Sequence, residues 1–293
     1  MEIGVSPVIF HIGSFGVRWY GTMMMLGVVA LIFWIYIQIR RGAKITYDDL
    51  LEGALVGIPS GIIFARLLHV IDGIEYIHFY FSNPLSIIGG SGLTIYGAIL
   101  GATLGIWVYS RFKKLNFAYV VDVITPGIII AQALGRVGCL FNGCCYGRES
   151  SHFNIVYTNP ETLAPFLHPV QPTQVYEILF LLVLLAVVLI FRSRFKPNGV
   201  QFMFYLGTYS LWRIAIGFQR DGADFGFGLV QAQVIGIIAA VICFGGIFYL
   251  RHRIAVRSLG VPRNKSSLSK ETEMVVSQVS VTTDQPDSSE YNE

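Results

Sequence analysis

Long apolar runs alternate with short polar connections along most of this chain. A helix needs about 20 apolar residues to cross the hydrocarbon core of a bilayer, which is roughly 30 Å thick. Candidate runs of this length lie at about residues 17–39, 50–71, 90–110, 119–135, 174–191, 200–218 and 229–250. Because helices satisfy their own backbone hydrogen bonds in lipid, the pattern predicts an all-α integral membrane protein with seven transmembrane helices.

The fourth run is the weakest of the set. It is short, and it contains Asp122 and Pro126. An acidic side chain and a missing backbone N–H are both unfavourable against lipid. We therefore expect this span to be tilted, broken or packed wholly against protein.

Basic residues cluster after every second run, which predicts the orientation in the membrane. The clusters follow the first, third, fifth and seventh runs, and consist of Arg40, Arg41 and Lys44, of Arg111, Lys113 and Lys114, of Arg192, Arg194 and Lys196, and of Arg251, Arg253 and Arg257. Loops rich in lysine and arginine stay in the cytoplasm. This rule predicts an extracytoplasmic N-terminus and a cytoplasmic C-terminus.

The composition agrees with a membrane protein and separates a tail from the rest. Hydrophobic residues make up 54% of the chain and charged residues only 13%, more apolar content than a soluble core needs. The net charge of +3 lies in the short clusters and not on a basic face, so nucleic acid is not an expected partner. Residues 1–255 are predicted to form one polytopic membrane domain. Residues 256–293, rich in Ser, Thr and acids, are predicted to be a disordered cytoplasmic tail.

Polar side chains inside the runs indicate a site in one leaflet. A charged residue at bilayer depth costs at least about 2.5–3.5 kcal/mol and is kept by default for a reason. The polar and charged side chains of these runs fall near the predicted outer ends of their spans: Arg18, Tyr20, Arg66, His69, Tyr96, Arg136, Gln174, Glu177 and Arg213. An ion pathway would instead place polar groups across the full thickness. Several arginines facing few acids favour a lipid with an anionic head group, because a guanidinium binds phosphate through two parallel hydrogen bonds.

The segment GRVGCLFNGCCYGR, residues 135–148, combines two arginines with three of the four cysteines. Cys139, Cys144, Cys145 and His152 resemble metal ligands, but they lack the usual Cys-x2-Cys pair, so no metal site is expected. A disulfide from Cys139 to Cys144 or Cys145 and plain packing roles remain open alternatives. The polar loop that follows, at about residues 148–172, is predicted to cover the site or to receive a peptide.

These segments together resemble the prolipoprotein diacylglyceryl transferase family, over about residues 1–255. Members move diacylglyceryl from phosphatidylglycerol to a cysteine thiol of secreted prolipoproteins. The resemblance rests on six motifs that occur in the family's order: Arg18-Trp19-Tyr20-Gly21, Ala65-Arg66-Leu67, the GLTIYGAILG stretch around Tyr96 and Gly97, the segment 135–148, Gln171-Pro172-Thr173-Gln174-Val175-Tyr176-Glu177, and Arg213 with Phe218 and Arg220.

The resemblance implies a role for each matching residue. Arg136 would grip the phosphate of phosphatidylglycerol, and Arg213 would be a second cation near it. The implied catalytic residues are Tyr20, Tyr96, Arg136 and Arg213, and the implied substrate-binding residues are Arg136, Asn142, Gly147, Arg66, Gln174, Glu177 and Arg220. It further implies a bacterial cytoplasmic-membrane enzyme whose site faces the extracytoplasmic leaflet. Its partners would be phosphatidylglycerol, the lipobox segment of a prolipoprotein signal peptide and membrane lipids, with neither metal nor cofactor.

The chain departs from the usual family pattern at four positions. Tyr96 stands where the third-span motif usually has histidine, the natural candidate base, and a phenol with pKa about 10 is a poor base at neutral pH. Cys139 and Cys144 replace the usual asparagine and glutamate, and Gly217 replaces an acid. These departures favour a distinct branch of the family and leave the base unidentified.

Other interpretations of the same residues stay open. The chain could be a diverged lipid-modifying paralogue with another donor or acceptor, or a lipid-binding or transport protein without covalent chemistry. Arg136 and Arg148 could be interfacial anchors, and Arg66 could form a structural ion pair with Glu177. Tyr20 and Tyr96 could belong to an aromatic belt.

Overall fold

The computed structural model describes residues 1–13, 15–72, 95–220 and 231–260. Within this part of the chain lie seven α-helices: α1 (Trp19–Arg40), α2 (Tyr47–Asp72), α3 (Ile95–Phe112), α4 (Phe117–Asn142), α5 (Thr173–Ile190), α6 (Val200–Gly217) and α7 (Gln231–Gly260). Five of them, α1, α2, α4, α5 and α7, contain stretches long and apolar enough to cross a membrane. The predicted helical membrane architecture is confirmed, whereas seven spans and their orientation stay predictions.

Small residues let the helices pack closely. The α2–α3 and α1–α4 pairs share the most extensive contacts, followed by α4–α5. At the α2–α3 contact, a Cβ added to Gly97 would lie 2.6 Å from the Cα of Ala65. At the α1–α4 contact, a Cβ on Gly27 would lie 3.0 Å from the carbonyl oxygen of Ala131. Such close backbone approach replaces the hydrophobic driving force that is missing between helices in lipid.

Helix α4 differs from its prediction in length and continuity. It runs unbroken for 26 residues with Pro126 inside it, and its C-terminus lies at Asn142 instead of near residue 135. Many of its residues are buried against α1, α5 and α6, which agrees with the expectation of a span packed against protein. Arg136 therefore projects from within the helix. The apolar pattern ended too early because polar residues of the last two turns face protein partners.

Asp122, near the start of α4, is bonded to the start of α6. Its two carboxylate oxygens accept hydrogen bonds from the backbone N–H groups of Gly199, at 2.6 Å, and Phe202, at 2.8 Å. The first N–H groups of a helix have no partner within the helix, and a negative charge there also interacts favourably with the helix dipole. The acid that weakened the predicted fourth span thus caps another helix.

Five short strands add to the helices within the described residues, so the all-α prediction was incomplete. They are β1 (Glu2–Ile3), β2 (Val8–Ile12), β3 (Phe15–Arg18), β4 (Ile155–Tyr157) and β5 (Pro169–Val170). Strands β2 and β3 form an antiparallel hairpin, and β4 lies between β1 and β5. Ile3, Ile155, Tyr157 and Val170 form a small buried cluster in this second sheet. Loop 148–172 is therefore held against the N-terminal residues. Strands of two to five residues are too short to give a periodic sequence pattern.

By contacts the chain divides into two units, Met1–Tyr249 and Leu250–Glu293. The predicted domain boundary after residue 255 falls within α7, and it stays a prediction. The tail beyond residue 260 lies outside the described residues.

Replacing Asp122 by Ala should destabilise the fold. The change leaves the buried N–H groups of Gly199 and Phe202 without acceptors, a cost of about 1–3 kcal/mol. We expect a clearly lower Tm for the purified protein in detergent, measured by intrinsic fluorescence during heating. Asp48→Ala, at an exposed position in the first turn of α2, is the matched control and should change Tm little. Equal Tm values for the two variants would contradict the capping role.

Candidate active site

The carboxylate of Glu177 joins three helical segments at one end of the protein. Glu177 lies in the second turn of α5, and its side chain is fully buried. Arg136 of α4 donates from Nε to Oε1 at 2.9 Å, and Arg220, just beyond α6, donates from Nη2 to Oε2 at 3.3 Å. The hydroxyl of Tyr209 in α6 donates to Oε1 at 2.7 Å. Both carboxylate oxygens are therefore engaged.

Among the side chains that the structure describes, positive charge exceeds negative charge around this carboxylate. Arg213 lies on α6 one turn after Tyr209, and its guanidinium is within electrostatic range of Tyr209 and Arg220, two of the side chains bonded to Glu177. Burial, followed by the charges of Arg136 and Arg213, lowers the pKa of Arg220, although Glu177 opposes this shift. The Nη1 atom of Arg213 is buried and has no hydrogen-bond partner among the described residues. Among the described residues, these three arginines share one acid, Glu177, and this excess of positive charge suits an anion.

The end of α4 is folded into a defined turn. Gly143 caps the helix with φ +68°, and Cys145 also has a positive φ, of +62°. The first turn of α5 holds this backbone in place: the Gln174 side-chain amide donates to the Cys144 carbonyl at 2.7 Å, and the Thr173 hydroxyl donates to the Cys145 carbonyl at 2.6 Å. Since Thr173 also accepts a hydrogen bond from Arg220 Nε at 3.3 Å, the turn is tied to the arginine cluster.

Gly147 lies where three backbone segments meet. Its N–H donates to the carbonyl of Gln171, and the neighbouring N–H of Arg148 donates to the carbonyl of Gln219. A Cβ at Gly147 would lie 2.7 Å from the Gln219 carbonyl oxygen and 2.7 Å from Thr173 Cγ2. The structure thus supplies a packing reason for glycine here, which differs from the predicted contact with substrate.

Segment 135–148 is called the signature below, and its three cysteines are free thiols that lie together. The sulfur atoms of Cys139, Cys144 and Cys145 are all within 4.8 Å of one another, and the disulfide alternative is not the form observed. The Cys139 sulfur is 4.0 Å from Nη1 of Arg136, so the thiols adjoin the arginine cluster. Hydrogen bonds from the Cys139 and Cys144 thiols, and then the charges of Arg136 and Arg220, lower the pKa of Cys145. His152 contacts Ser151 instead, at 2.9 Å.

The remaining predicted site residues are placed as follows. Tyr20, in the first turn of α1, is 40% exposed and within electrostatic range of the three thiols and Arg136. Asn142 is the last residue of α4, and its buried Oδ1 has no partner among the described residues. Arg66 is buried in α2, and the ion pairs of Glu177 given above do not include it. The side chain of Tyr96 lies outside the described part of the chain.

Three residues of this region were not predicted from the sequence. Tyr209 lies four residues before Arg213, which places both on one face of α6 and is a signal that could have found it. Thr173 belongs to the motif at residues 171–177, but the motif itself indicates no role for this residue. Tyr157 comes from β4 and donates from its hydroxyl to the Leu140 carbonyl at 3.0 Å. Burial is the main cause that raises the pKa of Tyr157. No sequence pattern identified this tyrosine.

Comparison with known proteins agrees with the resemblance seen in the motifs. Residues 7–249 match the family described as prolipoprotein diacylglyceryl transferase. A protein of Dehalococcoides mccartyi strain CBDB1, named phosphatidylglycerol–prolipoprotein diacylglyceryl transferase, is 55% identical over 238 residues, which cover 81% of this chain and 90% of the relative. A relative of the same name from Clostridium novyi is 32% identical over 262 residues, 87% of this chain and 98% of its own length.

Replacing Gly147 by Ala should disrupt the joint between the signature, α5 and the segment after α6. The added methyl group meets a carbonyl oxygen and a methyl group at distances that force the backbone apart, so we expect a lower Tm in detergent. Gly245→Ala is the matched control, because nothing lies within 4 Å of a Cβ at that position. If Gly147→Ala and Gly245→Ala melt at the same temperature, the packing role of Gly147 is wrong.

Proposed function

The chain belongs to the prolipoprotein diacylglyceryl transferase family, and we propose that it transfers diacylglyceryl from phosphatidylglycerol to the lipobox cysteine of prolipoproteins. The relatives named above carry this activity in their names and match most of the chain. The apolar helices and the bacterial relatives indicate a multi-pass bacterial membrane protein. The observation that carries the proposal is the cluster of Arg136, Arg213 and Arg220, in which Glu177 pairs with Arg136 and Arg220 and is the one acid of this cluster among the described residues.

This cluster provides the chemistry that a lipid phosphate requires. Glu177 orients Arg136 by an ion pair through Nε, and an arginine has further N–H groups that remain for another acceptor. Arg213 offers a buried Nη1 without a partner among the described residues. We assign Arg136 and Arg213 to the phosphate of phosphatidylglycerol and Arg220 to holding Glu177. A phosphate between two guanidiniums accepts charge-assisted hydrogen bonds, which are about twice as strong as neutral ones.

The same arginines fit the charge that develops during transfer. The lipobox thiol loses its proton to solvent, its sulfur attacks the glyceryl carbon bonded to the phosphate oxygen, a thioether bond forms, and the carbon–oxygen bond breaks. Its electron pair stays on the phosphate oxygen, so glycerol phosphate leaves with one more negative charge. Guanidiniums already positioned at this phosphate stabilise the transition state, the role that fixed hydrogen-bond donors have in oxyanion holes.

The other predicted residues take supporting roles in this proposal. Tyr20 is exposed beside the thiols and would contact the lipid glycerol backbone. The Oδ1 of Asn142, which has no partner within the described part of the chain, would accept a hydrogen bond from a head-group hydroxyl. Gln174 and Gly147 would maintain the shape of the turn that follows α4, through a hydrogen bond and through close packing, respectively. Roles for Arg66 and Tyr96 in lipid binding stay predictions from the sequence.

The loop at residues 148–172 is suited to a peptide that approaches from the membrane surface. Although ordered by β4 and β5, it exposes several apolar side chains: Phe153, Leu163, Phe166 and Leu167. Contiguous exposed apolar patches, unlike scattered apolar side chains, mark protein or membrane binding surfaces. We propose that this loop receives the apolar signal-peptide segment next to the lipobox cysteine.

The distribution of basic residues supports a site on the extracytoplasmic side. At the opposite end of α4 from Glu177, Lys44 donates its backbone N–H to the Tyr119 hydroxyl, and Lys113 pairs with Glu52 at 2.7 Å. The three basic clusters that follow α1, α3 and α5 belong to this opposite end. By the positive-inside rule that end faces the cytoplasm. The Glu177 end then faces outward, where secreted prolipoproteins are modified.

Transfer is measured with the purified full chain in detergent, phosphatidylglycerol and a lipobox peptide. A mass increase on the peptide cysteine together with release of glycerol phosphate is the expected result. The same peptide with Cys→Ser and phosphatidylethanolamine as donor are negative controls. No product, while a verified family member reacts in parallel, would contradict the function, and product from another donor alone would identify a diverged paralogue.

Arg136→Ala and Arg148→Ala should separate the phosphate ligand from a surface arginine in the same segment. Loss of a charged transition-state donor costs about 10²–10³-fold in rate, so Arg136→Ala should be almost inactive. Arg148 has an exposed side chain, and its alanine variant should lose less than about tenfold, as expected for an interfacial cation. Initial rates at saturating peptide, with Tm values to verify folding, provide the measurement. Similar rates for folded Arg136→Ala and the unaltered protein would exclude the phosphate role.

A further inference from the structure

The three signature cysteines form a cluster that the phosphate site does not use. Cys139 is buried, Cys144 is partly buried and Cys145 is exposed, so the cluster opens to the surroundings on one side. All three sulfurs lie within 4.8 Å of one another.

The C-terminus of α4 explains how cysteines without the usual metal-binding spacing come together. At the C-terminus of α4 the chain reverses at Gly143, and the Cys144 N–H donates back to the Cys139 carbonyl at 3.1 Å. This 6→1 bond is typical of a helix ending in a left-handed residue, and it brings residues five apart side by side. The absence of a Cys-x2-Cys pair therefore does not keep the sulfurs apart.

The backbone that carries the thiols is fixed by hydrogen bonds, as is usual around the ligands of a metal site. Gln174 and Thr173 bind the carbonyls of Cys144 and Cys145, at 2.7 and 2.6 Å, and α4 carries Cys139. Such outer groups orient the ligands of metal sites and influence metal affinity. In a tetrahedral zinc–thiolate site with Zn–S bonds of about 2.3 Å, sulfur atoms are about 3.8 Å apart. A closure of about 1 Å brings these thiols to that geometry.

We propose that Cys139, Cys144 and Cys145 bind one Zn²⁺ and that its fourth position takes the thiol of the prolipoprotein cysteine. This inference rests on the proposed function for the identity of the fourth ligand. Three protein ligands with an open fourth position are the pattern of catalytic zinc sites, and three thiolates are ligands that zinc prefers. The position fits the reaction, because Cys139 adjoins Arg136, the proposed phosphate ligand.

The site resolves the missing base in this chain. A thiol that binds zinc loses its proton to solvent and remains a thiolate at neutral pH. Its sulfur then attacks the glyceryl carbon, the carbon–oxygen bond breaks towards the phosphate, and the neutral thioether leaves the metal. One proton and glycerol phosphate are released for each thioether formed, and no oxidant or reductant is needed. Tyr96 can then replace histidine without loss of activity.

Metal binding is tested on the full chain, purified in detergent under reducing, anaerobic conditions. We expect about one zinc per chain by elemental analysis and, after exchange with Co²⁺, the charge-transfer absorption of cobalt–thiolate bonds. Single variants Cys139→Ser, Cys144→Ser and Cys145→Ser should each lose most of the metal. Cys243→Ser, a buried cysteine of α7 outside the cluster, is the matched control and should keep it. Thr173→Val should weaken zinc binding about 10–100-fold while all three thiols remain.

The fourth ligand is tested by adding lipobox peptide to the cobalt form in the absence of lipid. A change in the charge-transfer band with the cysteine peptide, and none with its Cys→Ser counterpart, supports thiolate binding. An active protein with no zinc and no cobalt–thiolate band overturns the proposal, as does an active protein whose cluster is oxidised to a disulfide. A cobalt–thiolate band that does not change when the cysteine peptide is added overturns the proposal that the peptide thiol is the fourth ligand. A peptide-dependent band without any transfer to peptide leaves the metal site standing and contradicts the proposed function instead.

Discussion

The buried carboxylate of Glu177 sets the geometry of the whole site. A charge without solvent must be paired, and breaking such a pair costs about 3–5 kcal/mol because the remaining partner stays buried and uncompensated. Glu177 on α5 therefore requires Arg136 from α4 and Arg220 from beyond α6, with the Tyr209 hydroxyl as a third donor. These bonds fix the register and rotation of three helices at the end where the signature turn lies.

Within the described part of the chain, one acid lies with three guanidiniums, and this excess of positive charge connects structure with function. The ion pair holds Arg136 in a single orientation, while Arg213 keeps a buried N–H group without a partner among the described residues. Positively charged groups held in this way are prepared for an anion before it arrives, so little reorganisation is needed when negative charge develops on a leaving phosphate. The thiol cluster lies against the same arginines. The groups proposed for the leaving phosphate and for the attacking sulfur are thus neighbours in one end of the bundle.

Much of this arrangement was predictable from the sequence, and the exceptions have physical causes. Apolar runs predicted the helices well because lipid imposes both length and composition. The end of α4 was placed too early, since Arg136 and Asn142 face protein and not lipid. The sequence indicates only that Asp122 is unfavourable in a membrane span, because its partners at Gly199 and Phe202 are about 80 residues away in sequence. Linear spacing alone argues against a metal site at the cysteines, although the chain reversal at Gly143 decides the distances between their sulfur atoms.

The central claim is that the arginine cluster binds the phosphate of phosphatidylglycerol. An experimental structure of the full chain in lipid nanodiscs containing this lipid tests the claim most directly. The account predicts a lipid phosphate with its oxygens about 2.7–2.9 Å from the guanidinium nitrogens of Arg136 and Arg213, while Arg220 stays on Glu177. A bound phosphatidylglycerol whose phosphate lies away from Arg136 and Arg213 would contradict it.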